Sequence, residues 1–138
     1  MSLILLLEDD EDLRPILADA LRSVGHEVVA VAEGSAALKK SVARRPDLII
    51  SDIVMEGMEG IAAIMAFRKL LGTVPILAIS GNALYLNNSE KLGADAGLLK
   101  PFTRKILMET VNRLLGHPSS PYRPGLDDVP ARTHPQGT

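Results

Sequence analysis

The chain has 138 residues, 46% of them hydrophobic, which suits one domain with a single substantial core. Its formal net charge of −2 at pH 7 excludes the basic surface that nucleic acid or an anionic membrane would require. The absence of cysteine excludes disulfides and thiolate chemistry, and an aromatic content of 3% argues against recognition of bases or sugars by stacking.

Five short apolar runs predict β-strands. They are rich in Ile, Leu and Val without polar alternation, which is typical of parallel strands covered on both faces. The runs are Leu3–Leu7, Val28–Val31, Leu48–Ile50, Ile76–Ile79 and Leu98–Leu99. The first is too short to cross a bilayer and continues into acidic residues, so we expect no membrane insertion and a cytoplasmic location.

Segments with helical periodicity separate the apolar runs. The first has apolar residues at helical spacing from Leu13 to Val24, with Pro15 in its first turn and Gly25 as its C-terminal cap. The other predicted helices are Ser35–Arg44, Ile61–Leu71, Asn82–Leu92 and Ile106–Leu114. Five strands alternating with five helices predict an α/β fold, a doubly wound parallel sheet with helices on both faces.

Three segments carry further signals. We interpret the acidic run Asp10–Asp12 as the charge preference of a helix N-terminus. Thr103 is the predicted N-cap of the last helix, and Gly116 follows its end. Within Asn82–Leu92, the triplet Asn87–Ser89 interrupts the apolar stripe and lowers helix propensity, so we expect this helix to be the least stable element.

The composition changes at His117. Five prolines follow it, with few apolar residues between them. Such a segment cannot bury enough surface to offset the entropy of ordering it. We therefore predict one domain over residues 1–116 and a Pro-rich disordered tail over residues 117–138.

Polar residues follow four of the predicted strands. Glu8 and Asp9 follow the first strand, Asp52 the third, Ser80 the fourth and Lys100 the fifth. Because open parallel sheets bind ligands beyond the carboxyl ends of their strands, we expect these side chains to converge. Clustered carboxylates call for a divalent cation such as Mg²⁺, and a lysine and a hydroxyl can hold phosphoryl oxygens. The pattern predicts phosphoryl transfer, with Asp52 as the nucleophile because it alone ends a central strand between the acids and the lysine.

Four segments in this order resemble the signature segments of bacterial two-component response-regulator receiver domains. They read ILLLEDDEDLR, DLIISDIVMEGMEG, ILAISGNA and GADAGLLKPF. The resemblance covers roughly residues 2–116. It implies a flavodoxin-like sheet with strand order 2-1-3-4-5, like that of chemotaxis regulators. It also implies a sensor histidine kinase or phosphotransfer protein as the source of the phosphoryl group.

The resemblance assigns a role to each residue of the predicted site. Asp52 would be the phosphoacceptor, and Ser80 and Lys100 would each bind a phosphoryl oxygen. A Mg²⁺ ion, with Mn²⁺ as the alternative, would be held by Glu8, Asp9, Asp52 and the backbone carbonyl of Val54. The Lys100–Pro101 peptide bond is expected to be cis. The family's usual output surface corresponds here to the regions around Asn82–Leu92 and Phe102–Leu115.

The sequence departs from the family at three positions. Glu56 replaces the usual proline near the metal, and Val54 places an apolar side chain beside the phosphoryl site. Gly97 stands where the family usually has Tyr or Phe, so no aromatic ring can turn inward on activation. Our hypothesis is that the signal leaves through the Ser80 loop and the helix Asn82–Leu92 instead.

Three functions compete for this sequence. The first is a signalling switch, not an enzyme, that assists its own phosphorylation and dephosphorylation and contacts an unknown downstream protein. It would act without direct nucleic-acid binding, as a monomer or weak homodimer, either alone or as part of a larger regulator or hybrid kinase. The second is a degenerate receiver that binds proteins independently of phosphorylation. A haloacid-dehalogenase-type phosphatase would need a second aspartate where Val54 stands, which argues against that class.

Overall fold

The computed structural model describes residues 2–53 and 58–116 of the chain. The expectations for Val54, Glu56 and the tail over residues 117–138 concern residues outside these ranges. Within them, five strands and five helices alternate along the chain. No helix in the described ranges is long and apolar enough to cross a membrane.

The five strands form one parallel sheet in the order β2-β1-β3-β4-β5, which confirms the predicted fold class and strand order. The strands are β1 (Leu3–Leu7), β2 (Glu27–Val31), β3 (Leu48–Asp52), β4 (Ile76–Ser80) and β5 (Ala96–Leu99). The helices are α1 (Leu13–Ser23), α2 (Gly34–Ala43), α3 (Met58–Leu71), α4 (Ala83–Lys91) and α5 (Arg104–Leu115).

Four strands are longer than their apolar runs, β2 and β4 by one residue and β3 and β5 by two. β3 continues past Ile50 to Asp52, because Ser51 and Asp52 pair with β4 although they are polar. β5 begins at Ala96, whose low strand propensity is outweighed by its pairing with Leu77. Partners across the sheet therefore extend β3 and β5 beyond what local composition predicts.

The helix ends largely follow the predicted signals. Pro15 lies in the first turn of α1, and Gly25 follows the end of that helix with φ of 98°, where its N–H donates to the carbonyl of Arg22. The Thr103 hydroxyl accepts a hydrogen bond from the N–H of Ile106 at 3.1 Å, as expected of an N-cap. α3 is longer than predicted, because it begins at Met58 and not at Ile61.

Helix α4 packs a polar residue where an apolar one was expected. Ser89 is fully buried and its hydroxyl donates to the carbonyl of Leu86 at 2.7 Å. The hydroxyl is thus satisfied within the helix, and the interruption of the apolar stripe at Asn87–Ser89 is tolerated. That α4 is the least stable element stays a prediction.

The sheet divides the core into two layers. Ile4 and Leu6 of β1 face a cluster formed with α1 and α5, whereas Leu5 and Leu7 face a cluster formed with α2 and α3. Both faces of β1 are buried. Because helices cover both faces of the sheet, its strands need no polar alternation, which explains the unbroken apolar runs.

The guanidinium of Arg68 in α3 joins two connections, α3–β4 and α4–β5, at the end of the sheet where β4 begins. It donates to the carbonyls of Gly72, Val74 and Gly93 at 2.5–3.2 Å, and to Asp95 at 2.8 Å. Asp95 also accepts the N–H of Ile76, the first residue of β4, at 2.8 Å. One side chain therefore ties the end of α3 to the start of β4 and to the α4–β5 connection.

We predict that Arg68→Ala lowers the free energy of unfolding by about 2 kcal/mol, because charge-assisted hydrogen bonds to several carbonyls are lost together. Urea unfolding measures this value. Lys69→Ala, which removes a neighbouring exposed cation, is the matched control and should change it by less than about 0.5 kcal/mol. Equal effects of the two substitutions would contradict the assigned role of Arg68.

Candidate functional site

The carboxyl ends of β1, β3 and β5, which lie at one edge of the sheet, bring two acids and a lysine together. Glu8 directly follows β1, Asp52 ends β3, and Lys100 directly follows β5. The Lys100 ammonium donates to Oε1 of Glu8 at 3.1 Å and to Oδ1 of Asp52 at 3.0 Å. The side chains of Glu8 and Asp52 are 0% and 8% exposed, and that of Lys100 is 17% exposed. Lys100 therefore bridges two buried carboxylates.

Glu8 is held at both of its carboxylate oxygens. Oε1 accepts from Lys100, and Oε2 accepts from the N–H of Asp10 at 3.1 Å. Burial, and then the negative charge of Asp52, raise the pKa of Glu8 from 4.5 to about 8, although Lys100 acts in the opposite direction. When no cation is bound, a proton on Glu8 thus removes the electrostatic repulsion between two adjacent buried carboxylates.

The other two members of the bridge are also perturbed. Burial raises the pKa of Asp52, and Lys100 partly offsets that effect. Burial alone would lower the pKa of Lys100, but the carboxylates of Glu8 and Asp52 outweigh it and raise the pKa. Lys100 therefore remains a cation at neutral pH, as required of a group that holds an anion.

Asp9 completes a set of oxygen ligands. One carboxylate oxygen from each of Glu8, Asp9 and Asp52 lies within 4.8 Å of the other two, and Asp9 is the exposed member. When all three are ionised, these carboxylates outnumber the single ammonium of Lys100, and the resulting excess of negative charge fits a hard divalent cation such as Mg²⁺. The residues present therefore suit the predicted metal.

Ser80 lies at the end of β4, beside β5. It is 1% exposed, and its hydroxyl accepts from the N–H of Asn82, the N-cap of α4, at 3.0 Å. Its carbonyl accepts from the N–H of Lys100 at 2.8 Å, and the Lys100–Pro101 peptide bond is cis, as expected. The hydroxyl is thus tied to the start of α4, and the strand that delivers Lys100 is tied to Ser80.

Three hydrogen bonds near the site, two to Asp10 and one from Arg14, are not predicted from the sequence. Asp10, which we had assigned only a general charge preference, accepts from the N–H groups of Asp12 and Leu13 through Oδ1, at 2.8 and 3.0 Å. Arg14 donates to the carbonyl of Glu8 at 3.0 Å. The available signal for Arg14 was its position, because a cation in the first turn of a helix opposes the helix dipole.

The fold and this arrangement define a class of protein: a doubly wound α/β domain with a lysine-bridged acidic site at the carboxyl ends of its strands. The family model described as response regulator receiver domain matches residues 4–112. The chain therefore belongs to the response regulator receiver domain family, whose members signal in two-component systems.

Curated relatives are longer regulators. The transcriptional regulatory protein PrrA of Mycobacterium tuberculosis is 33% identical over 81% of this chain, and the match covers 49% of PrrA. The uncharacterized transcriptional regulatory protein YrkP of Bacillus subtilis is 38% identical over 75% of this chain and 45% of its own length. The chain thus spans about half the length of these relatives.

Solved structures of similar size share the fold. Chemotaxis protein CheY4 of Vibrio cholerae superposes with a TM-score of 0.76 at 30% identity, over 83% of this chain and 98% of that one. The response regulator TrrA of Thermotoga maritima, solved in complex with Mg²⁺ and BeF, gives 0.75 at 30% identity, over 83% of this chain and 99% of that one.

We predict that the metal-free protein loses stability as the pH rises from about 5 to about 8.5. Between the unfolded pKa of 4.5 and the folded pKa of about 8, folded Glu8 binds a proton that the unfolded chain releases, so rising pH favours unfolding. The raised pKa of Asp52 acts in the same direction. Urea unfolding in EDTA across this range measures the slope.

Glu8→Gln is the control for this prediction, because glutamine does not titrate. The variant should show a shallower decline in the free energy of unfolding over the same pH range. Identical slopes for the variant and the unmodified protein would show that Glu8 is not the titrating group.

Proposed function

We propose that this chain is a phosphorylation-controlled switch that accepts a phosphoryl group from a sensor histidine kinase or phosphotransfer protein onto Asp52. The observation that carries the proposal is the bridge from Lys100 to Asp52 and Glu8, with Asp9 adjacent. These groups supply a nucleophile, a fixed cation and oxygen ligands in one place, which is what phosphoryl transfer requires.

The transfer step is a displacement at phosphorus. A carboxylate oxygen of Asp52 forms the new O–P bond as the P–N bond of the phosphohistidine breaks, and the electron pair of that bond returns to the imidazole nitrogen. Lys100 is already 3.0 Å from Oδ1 of Asp52, so its ammonium is placed to hold a phosphoryl oxygen. The buried Ser80 hydroxyl would hold another.

A divalent cation belongs to this proposal. Glu8, Asp9, Asp52 and the backbone carbonyl of Val54 would hold Mg²⁺, or Mn²⁺ in its place. When bound, the ion supplies positive charge that neutralises phosphoryl oxygens in the transition state. It also removes the need for a proton on Glu8, since it offsets the repulsion between the buried carboxylates.

The proposed product is a signal and not a released metabolite. The domain would assist its own phosphorylation and dephosphorylation in the cytoplasm, and it would alter contacts with a downstream protein, as a monomer or weak homodimer. The partners of this chain are part of the proposal, because the longer regulators that it resembles extend beyond the matched region.

Two contacts support the hypothesis that the signal leaves through α4. The Ser80 hydroxyl, which would turn toward the phosphoryl group, accepts the N–H of Asn82 at the start of that helix. A Cβ added to Gly97 would lie 3.2 Å from the Leu86 side chain, so α4 packs closely against β5 at this point. If the Ser80 hydroxyl turned toward the phosphoryl group, the N–H of Asn82 would lose its acceptor, which would loosen the N-cap residue of α4.

The first experiment is phosphorylation by a small donor. Incubation with Mg²⁺ and acetyl phosphate should add one phosphoryl group, detected by intact-mass spectrometry. The adduct should be absent from Asp52→Ala and from a sample in EDTA. If neither acetyl phosphate nor phosphoramidate gives an adduct, and Mg²⁺ does not perturb the site, the results would favour the alternative function, a protein-binding module that acts independently of phosphorylation.

Hydrogen exchange tests the route through α4. Beryllofluoride with Mg²⁺, a mimic of the phosphoryl group, should increase exchange across residues 81–95, first at the Asn82 amide, because its acceptor is withdrawn. The amides of α1 serve as an internal reference, and Asp52→Ala should show no response. Unchanged exchange at residues 81–95 in protein that binds the mimic would rule out this route.

A further inference from the structure

Arg14 occupies a position that helix electrostatics disfavours. It is the second residue of α1, whose first turn contains no acidic residue. Cations are favoured near the C-terminus of a helix and disfavoured near its N-terminus. Among residues 2–53 and 58–116, no carboxylate forms an ion pair with Arg14. Its hydrogen bond goes instead to the carbonyl of Glu8 at 3.0 Å.

That carbonyl belongs to the most constrained residue of the site. The N–H of Glu8 donates to the carbonyl of Val31 at 3.0 Å, which continues the pairing of β1 with β2. Its carboxylate accepts from Lys100 and from Asp10. With Arg14 bound to its carbonyl, every polar group of Glu8 has a hydrogen-bond partner. At the point where β1 ends, the Arg14 side chain thus supplies the hydrogen bond to this carbonyl that a neighbouring strand would otherwise supply.

The same helix turn also holds the residue on the other side of Asp9. The carbonyl of Asp10 accepts the N–H of Arg14 at 3.0 Å, and its carboxylate accepts the N–H groups of Asp12 and Leu13. Asp9 is therefore flanked by two residues that are each bound to the first turn of α1. Arg14 contributes to both attachments, through its side chain to Glu8 and through its backbone to Asp10.

We propose that Arg14 is a positioning residue, which holds the Glu8–Asp9 pair in the arrangement that binds a divalent cation. The inference rests on the metal site of the proposed function. It assigns Arg14 no contact with the metal or with the phosphoryl group. Its effect passes through the backbone of Glu8.

Arg22 of the same helix provides a matched comparison. Its guanidinium donates to the carbonyl of Val28 in β2 at 2.9 Å, so it makes the same kind of bond to the same sheet. Its placement has ordinary causes, since it lies in the last turn of α1 and 3.6 Å from Asp19. Replacing Arg22 therefore removes an equivalent bond far from the acidic site.

Charge and position predict opposite results for Arg14→Ala. Loss of a cation near the acids would by itself strengthen Mg²⁺ binding, because repulsion is removed. Loss of positioning would weaken it, and substitutions of residues that support metal ligands cost roughly 10–100-fold in affinity. The sign of the change therefore separates the two effects.

The experiment is Mg²⁺ titration of the full chain, followed by amide NMR shifts at the Glu8–Asp10 loop. Arg14→Ala should bind Mg²⁺ about 10-fold more weakly, Arg14→Lys should be intermediate, and Arg22→Ala should stay within about 2-fold of the unmodified protein. At saturating Mg²⁺, acetyl phosphate should modify Arg14→Ala at nearly the unmodified rate, because Asp52 and Lys100 are intact.

Unchanged or tighter Mg²⁺ binding by folded Arg14→Ala would overturn the inference. Should that variant fail to unfold cooperatively, Arg14→Lys decides, since affinity equal to that of the unmodified protein would overturn the inference as well. Failure of the proposed function has a different signature. The unmodified protein would then bind no Mg²⁺, or Asp52→Ala would still be phosphorylated.

Discussion

The structure of the site depends on one interaction, the bridge that Lys100 forms between Glu8 and Asp52. Two carboxylates almost without solvent exposure would repel each other and lose hydration, and an ammonium at 3.1 and 3.0 Å offsets part of both costs. The three residues lie at the ends of β1, β3 and β5. In the chain, Lys100 is 48 positions from Asp52 and 92 positions from Glu8. Only the strand order of the folded sheet brings them together, so the site exists only in the folded domain.

The elements around this bridge are attached to it in two different ways. The apolar layers on both faces fix the strands, and Arg14 and Asp10 fasten the β1–α1 loop that carries the acids. α4 has a different kind of support. Its N-terminal end is tied to the Ser80 hydroxyl, and the connection after its other end is held at Gly93 by Arg68. A change at Ser80 would therefore act on one end of a helix whose far connection is anchored.

Local patterns anticipated much of this structure because their causes are local. Apolar runs without alternation identified all five strands, and Thr103 and Pro15 marked helix starts through their own backbone chemistry. The failures have non-local causes. Ala96 joins β5 because Leu77, a distant residue in the chain, pairs with it. Arg14 was missed because its partner is a backbone carbonyl, which no side-chain motif records.

The sequence by itself determined the order of elements, the fold class and the polar residues that follow the strands. Hydrophobic periodicity and strand ends depend on residues that are close together in the chain, so they can be recognised without the tertiary structure. The tertiary structure alone decided that Lys100 contacts both Glu8 and Asp52, that burial raises the pKa of Glu8 to about 8, and that Arg14 holds the Glu8 carbonyl. Each of these facts depends on the distance between groups that the chain keeps apart or on the exclusion of water. These short distances and this dehydration arise only when the sheet has formed and its helices cover it.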